Sequence, residues 1–476
     1  MIDSVLLVRP YSVSKKEFPL ALLHVGAALK EKGYKVQIID LQDDPSREDE
    51  IIKLLEKSPE MILGISALTL HYRWVKQFVD KLKKCSPKTI VVLGGHISII
   101  SEILLENTRV DFICTGEGEI TFPELINSLN KDLSPKDVLG LAFKEQGQII
   151  KTGFQPLLKE FHCPDYDLIN MENYIIYPFK DMFFKNSPEH RKRQKPDDKL
   201  AVIMFSRGCI GGCNFCYRHL PGFRQESVER SWWHLMLLRK KYGIKYFRVD
   251  DELFTNCPEW FNDFYEKFKK EKPDILFRIT GLRTDLVTDR QLEMLKEMGC
   301  IAINYGIESG SQTILDNMNK RITFSQNLDA IKKTLSHGMQ CMAYIMIGYE
   351  GEDKKTLDQT LNLLLESGLK PEYISIFYTI ALPGTKLYRD CLKNGRIKNE
   401  SEYLEALAAH VETNQPAEQR YILNFSSLSK NELVAWGKSM PYILKIYPRF
   451  SHFPLISGIF KKVVYFIFII KAYIKV

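Results

Sequence analysis

Apolar and polar positions change rhythm along the chain. Over the first 140 or so residues, short apolar runs alternate with stretches whose apolar residues recur at helical spacing. SVLLVRP, KVQIIDL, MILGISALT, TIVVLGGH and VDFICTG read as buried strands. Between the first two, PLALLHVGAALKEKG predicts a helix that starts at Pro19 and stops at Gly33. Further helices are predicted over residues 72–85 and 99–107 and from near Ile120. Such alternation implies a parallel, doubly wound, Rossmann-like α/β sheet, whose ligands lie beyond the carboxyl ends of the strands. The sequence places Ser66-Ala67-Leu68, Gly94-Gly95-His96 and Gly116-Glu117-Gly118-Glu119 there.

The rhythm weakens over residues 141–195, where HRKRQKPDDK (190–199) reads as a solvated connector. It resumes from LAVIMFSRGC with longer helices. AVIMFS, YFRVDD, LFRITGL, AINYGIES, CMAYIMIGY and YISIFYTIAL are the strand candidates. Six strand–helix units predict a partial, TIM-type (β/α)6 barrel, two units short of a closed one. The expected organisation is a first domain over 1–140, a linker over 141–195, the barrel over 196–410 and a helical C-terminal region over 411–476.

Composition narrows the class. The 476 residues are 45% hydrophobic and 26% charged, as in ordinary soluble globular proteins. The net charge of +7 arises past Glu432, the last acidic residue, where seven cations follow with no anion. The 59 cations before them match 59 anions, which argues against a nucleic acid partner. MIDSVLLVRP has no basic region ahead of its apolar run and reads as a strand rather than a secretory leader. Ten scattered cysteines fit a reducing cytoplasm. Near the end, VVYFIFII (463–470) is eight apolar residues, against the roughly 20 that span a bilayer. With Lys461 and Lys462 beside it, the run reads as an interfacial helix touching the inner membrane surface, the alternative being a last helix packed on the barrel.

The chemistry concentrates in SRGCIGGCNFCYRHL (206–220). Cys209, Cys213 and Cys216 follow C-x3-C-x2-C directly after a predicted strand. A disulfide cannot use three thiols, and a structural zinc site wants four ligands. No second C-x2-C exists, although His219 offers a fourth ligand. Iron–sulfur clusters normally take four thiolates. Three around a 4Fe-4S cluster leave one iron open for a substrate or cofactor. Gly208, Gly211 and Gly212 let the backbone wrap closely.

With Phe215 before the last cysteine, this loop resembles the signature of the radical S-adenosyl-L-methionine (SAM) superfamily. VDDELFTN (249–256), Arg283, GCIAINYGIESGSQTILDNMNKRIT (299–323), IMIGYEGED (345–353) and ALPGTKLY (381–388) resemble that family's strand-end segments, in order, across about 200 residues. The resemblance implies that the open iron binds SAM and that the reduced cluster cleaves it to methionine and a 5′-deoxyadenosyl radical. It also places Glu308 and Ser309 near the ribose or methionine part of SAM, and Gly348 beside the adenine.

GISALT, VVLGGH and VDFICTGEGEITFPELI resemble the cobalamin-binding domain of the cobalamin-dependent radical SAM enzymes. That resemblance implies cofactor contacts at Ser66, Leu68, Gly94 and Gly95, with Gly116, Glu117, Gly118 and Glu119 at the next strand end. The family's D-x-H-x-x-G is absent. His24 lies inside the predicted helix without the Asp, so no histidine from that loop is expected on cobalt. His96 stands in an altered glycine loop and is read as solvent-facing or satisfied by protein.

Together these imply methyl transfer to an unactivated carbon of a small or lipid-like substrate, through hydrogen abstraction and a methyl group from cobalamin that a second SAM restores. An electron donor such as flavodoxin or ferredoxin is the implied partner. The alternative within the same architecture is a non-methylating cyclisation or ring rearrangement, as in enzymes resembling anaerobic Mg-protoporphyrin IX monomethyl ester cyclase. A corrinoid or iron–sulfur carrier is the non-enzyme alternative, and it has no use for SAM-contacting motifs on five strands.

Overall fold

The structure, a computed structural model, describes residues 1–13, 18–58, 60–187, 192, 195, 197–218, 220–413, 416–447, 463, 464, 467 and 468. His219, much of the 190–199 connector and most of the tail lie outside the described residues. Residues 1–175, 217–221 and 382–416 form one compact unit, and residues 176–216, 222–381 and 417–476 form another.

The first unit is built on β1 (Ser4–Arg9), β2 (Lys35–Asp40), β3 (Met61–Ser66), β4 (Val91–Gly94), β5 (Phe112–Cys114), β6 (Leu141–Glu145) and β7 (Gln148–Lys151). The sheet order is β2-β1-β3-β4-β5-β6-β7. The first five strands are parallel. This is the doubly wound arrangement, and the near-continuous burial of β1 and β3 follows from helices covering both faces. Leu7, Leu29, Ile62, Val92, Phe122 and Leu125 meet in its core. The last two strands run antiparallel. Gln146 and Gly147, both at positive φ (49° and 83°), make the tight turn between them. This hairpin lies in the segment expected to be a linker. The helix expected over 99–107 is a 3-10 turn over His96–Ile100 followed by an α-helix over Ser101–Asn107.

The second unit holds β8 (Lys199–Ile203), β9 (Ser206–Gly208), β10 (Phe223–Gln225), β11 (Ile244–Val249), β12 (Leu276–Leu282), β13 (Cys300–Glu308), β14 (Gln340–Ile347) and β15 (Ile374–Tyr378). β9 and β10 pair as a short antiparallel ribbon. The other six are parallel and ordered β15-β14-β13-β12-β11-β8. Neighbours in chain order, joined by helices, curl into the expected half-barrel. Sequence sets the helix starts: Thr288 with Gln291, Thr323 with Gln326 and Asp353 with Thr356 each form a capping box.

A short helix, Met182–Asn186, plugs the barrel at the amino ends of its strands. Phe183 and Phe184 pack with Leu200, Tyr246, Leu276, Ala302 and Met342. Asp181 pairs with Arg278 at 3.1 Å, and Gln340 donates to the Phe183 carbonyl at 2.9 Å. Among the described residues, no helix is long and apolar enough to cross a membrane.

Candidate functional site

The cysteine loop leaves β9 at the carboxyl end of the barrel strands. A Cβ placed on Gly211 would lie 3.3 Å from Cys209 Sγ, 3.8 Å from Cys213 Sγ and 3.4 Å from the Arg283 guanidinium. Two thiols and a cation therefore converge on one small region. Burial pushes the Cys213 thiol up, while Lys320 and Arg283 pull it down. Cys216 is exposed as a residue, but its thiol is crowded by protein atoms and by Cys213, which push it up to about 12. Iron must displace these protons. The described residues contain no three of His, Cys, Asp and Glu placed to hold a single metal ion. Thiols that each take a different iron need not converge so tightly, and the two cations suit a cluster that carries negative charge.

Residues 317–319, nine to eleven residues beyond the end of β13, brace this loop. Asn319, at φ +52°, donates through Nδ2 to the Gly212 carbonyl at 2.7 Å. The Asn214 amide donates to the Met318 carbonyl, and Asn214 Nδ2 to the Asn317 carbonyl, both at 2.9 Å. Arg283 grips Asp285 through two bonds and reaches the Lys320 and Arg321 carbonyls.

Glu308 ends β13 in a left-handed conformation, φ +62°, which a non-glycine residue adopts only under constraint. Its Oε1 accepts from Lys320 Nζ at 2.9 Å, both side chains being nearly buried. Burial lowers the Lys320 pKa, but Glu308 and Cys213 outweigh it and the net shift is upward, so the ammonium stays charged. It lies 5.9 Å from the Phe215 ring centre, within cation–π range. Beside the thiols there is thus a carboxylate and an ammonium. Ser309 is wholly buried; its Oγ accepts from the Ser311 amide and meets Thr360, so it shapes the turn and presents no free polar face.

Gly348 directly follows β14 at φ +85°, a conformation that favours glycine, and its N–H donates to the Glu352 carboxyl. Glu352 is fully buried, and burial pushes it up to about 8. Its carbonyl takes the Ser427 N–H at 2.9 Å, tying this corner to the C-terminal segment.

In the first unit the strand ends form a second corner. Gly95 takes φ +81°, and a Cβ there would sit 2.8 Å from the Ala67 carbonyl and 3.1 Å from Ser66 Oγ. Gly94 stays open apart from Cys114. Leu68 is 40% exposed, and its N–H donates to His71 Nδ1 at 3.1 Å. Burial first, then Arg9, lowers His71 to about 4, so its ring is neutral. His96 is exposed and meets the Tyr217 ring edge-on at 4.8 Å. His24, within the helix Leu20–Glu31, contacts the His162 carbonyl through Nδ1.

The third strand end packs against residues 155–158. Glu117 accepts from the Leu158 amide at 2.6 Å and its own N–H donates to Gln155 Oε1. Glu117 and Glu119 are buried, and a Cβ on Gly116 would collide with Gln155. Gly118 opens the helix Gly118–Asn130 against Val25. This segment holds residues 155–158 in place. The residues that sequence reasoning missed are Lys320, Asn319, His71 and Glu352. Lys320 and Asn319 sat inside the quoted NMNKR, where an Asn at a left-handed turn was the available signal.

A doubly wound domain and a half-barrel with three thiols at a strand end define a radical SAM enzyme with a corrinoid-binding module. The chain matches the B12 binding domain family over residues 11–126 and the Radical SAM superfamily over residues 203–364. It is 30% identical over 386 residues to an uncharacterized methyltransferase of Pyrococcus horikoshii, covering 79% of each chain. The chain belongs to this family of radical SAM enzymes with a cobalamin-binding domain. It is also 25% identical to the anaerobic magnesium-protoporphyrin IX monomethyl ester cyclase of Rubrivivax gelatinosus, over 72% of this chain and 61% of the relative, about three fifths of that protein's length. The fold matches the radical SAM methyltransferase TsrM from Kitasatospora setae, solved with cobalamin and a 4Fe-4S cluster, at TM-score 0.64 and 16% identity, covering 83% and 75% of the two chains.

Proposed function

We propose that the chain is a cobalamin-dependent radical SAM methyltransferase acting on an unactivated carbon of a small substrate. The observation that carries this reading is the braced cysteine loop beside the Glu308–Lys320 pair. Cys209, Cys213 and Cys216 would hold three irons of the cluster, and Arg283 and Lys320 would offset its charge. Glu308 and Lys320 offer a carboxylate to hydroxyl or ammonium groups and an ammonium to a carboxylate, the polar groups that SAM carries. Gly348, with no Cβ, lets a flat ring approach the backbone. In the first unit, Ser66, Leu68, Gly94 and Gly95 would receive the corrinoid, and the exposed Leu68 offers an apolar contact. When bound, the cluster supplies the electron that cleaves SAM and cobalamin supplies methyl carriage. A flavodoxin or ferredoxin would deliver the electron, and the basic tail would touch an anionic membrane surface.

The name of the Pyrococcus relative supports methyl transfer, and the Rubrivivax relative supports cyclisation as the second reading. They differ in one product. Methylation by way of the corrinoid releases S-adenosylhomocysteine, because SAM must give up its methyl group. Cyclisation releases only 5′-deoxyadenosine and methionine. Full-length protein loaded with cluster and reduced cobalamin should form S-adenosylhomocysteine from SAM, quantified by mass spectrometry. Its absence, with 5′-deoxyadenosine still formed, would turn the assignment to the cyclase reading.

A further inference from the structure

The chain leaves the barrel sheet just ahead of the cysteine loop. β8 ends at Ile203, whose carbonyl takes the Asp250 N–H at 3.0 Å, and the backbone then turns into β9. A chain that leaves a sheet gives up its ladder partners, and here Phe205 and Ser206 are only 2% and 1% exposed. Their N–H groups need acceptors that water cannot supply. Asp251 provides one for both. Its Oδ1 accepts from the Phe205 N–H at 2.7 Å and from the Ser206 N–H at 3.2 Å. Backbone amides donate and do not accept, so the direction of both bonds is fixed.

The two adjacent acids that follow β11 therefore take different roles. Asp250 accepts from Arg248 at 2.6 Å and from Thr280 Oγ1 at 2.9 Å. Asp251, 1% exposed, turns back toward the segment that carries the thiols. Burial raises its pKa from 3.8 to about 7, against the pull of the two amides and Ser206. So deeply buried a carboxyl touches neither substrate nor SAM, and its influence passes through the backbone it holds.

From Ser206 to Cys209 the path is short and stiff. Residues 206–208 pair with residues 223–225 as the antiparallel ribbon β9–β10. Phe205 is pinned further by the Glu226 N–H on its carbonyl at 2.9 Å and by ring contacts with Phe254, Trp260 and Phe264. Gly208 stands at φ +87°, where a Cβ would lie 2.2 Å from the Gly222 carbonyl oxygen, and Cys209 comes next. Further along, Asn319 holds the loop at Gly212. A shift at residue 206 therefore reaches the Cys209 thiol with little slack between them.

We propose that Asp251 is a positioning residue for the cluster: its carboxyl oxygen fixes the strand from which Cys209 projects, and so sets where that thiol meets iron. This rests on the radical SAM reading of the same site. The operative feature is the acceptor oxygen at its present place, which an amide side chain of the same length reproduces and a shorter or longer side chain does not.

The test uses full-length protein, reconstituted anaerobically and reduced with dithionite. Asp251→Asn keeps an acceptor oxygen for the two amides, and Asp251→Ala removes it. EPR of the reduced cluster, recorded before and after SAM is added, reads the surroundings of whatever cluster has assembled. Iron per chain reads the yield separately. The Asn variant should reproduce the wild-type spectra. The Ala variant should show displaced g values and lose the change that SAM causes. Its 5′-deoxyadenosine formed per reduced cluster should fall on the order of tenfold or more, the effect of a small misplacement. If Asp251→Ala does not accumulate, Asp251→Glu decides, because it moves the carboxyl by one methylene and should displace the spectra as well. Wild-type spectra in the deciding variant would overturn the proposal even if iron is lost, since a lower yield alone is a matter of stability. An Asn variant that behaves like Ala would overturn it too, by showing that the acceptor oxygen is not what counts. Absence of both the SAM-induced change and 5′-deoxyadenosine in iron-loaded wild type counts against the radical SAM reading. Both present in wild type and unaltered in the variants counts against Asp251 alone.

Discussion

Glu352 is a carboxyl sealed in the protein, holding the Gly348 N–H with one oxygen while the other lacks a partner. Burial raises its pKa from 4.5 to about 8, so it is folded in as the neutral acid. In the unfolded chain it ionises near its ordinary value. Its contribution to stability is therefore complete below about pH 4.5 and declines as pH rises toward 8. Glu352→Gln keeps an acceptor for Gly348 and cannot ionise. Thermal midpoints measured from pH 5 to 9 should fall less steeply in the variant, which should be the more stable protein at pH 8.5. Parallel curves would show that Glu352 is ionised in the native state. At this scale the sequence was uneven evidence. Three cysteines in eight residues announce themselves, because few structures need that spacing. Glu117 and Glu308 look alike in sequence, each an acid close to the carboxyl end of a strand. Only the chain's path after the strand turns one toward Leu158 and the other toward Lys320.

The cysteine loop is a short element with little regular structure, and its shape comes from residues 317–319. Asn319 serves twice, by tolerating a left-handed backbone and by bonding the Gly212 carbonyl. Asn319→Gly removes the bond and relaxes the backbone, while Asn319→Ala removes the bond and strains it. Both should lower cluster occupancy after anaerobic reconstitution, read as iron per chain. The Ala variant should also be less stable than the Gly variant by about 1 kcal/mol in urea unfolding. Equal occupancy in wild type and both variants would show that the loop holds its form without the brace. The six barrel strands were legible because buried parallel strands are long apolar runs. The β6–β7 hairpin was not, since its residues are short and mixed. The plug helix Met182–Asn186 was hidden as well: five residues carry too little periodicity, and Phe183 and Phe184 acquire meaning only from the barrel floor they fill.

Across the whole chain, two modules carry complementary features. The first offers a strand-end corner at Ser66–Leu68 and Gly95, shaped by a neutral His71. The second offers three thiols and a matched carboxylate–ammonium pair. The order of modules was readable from the apolar rhythm and the motifs. The grouping of residues 382–416 with the first unit was not, because it depends on contacts between segments distant in sequence. The claim on which the account rests is reductive cleavage of SAM by a cluster on Cys209, Cys213 and Cys216. The most direct measurement is HPLC of 5′-deoxyadenosine after anaerobic incubation of reconstituted full-length protein with SAM and dithionite, beside Cys209→Ala treated identically. The account predicts 5′-deoxyadenosine from the wild type and only background from the variant. Equal amounts from both, or none from either when the wild type carries its iron, would contradict it.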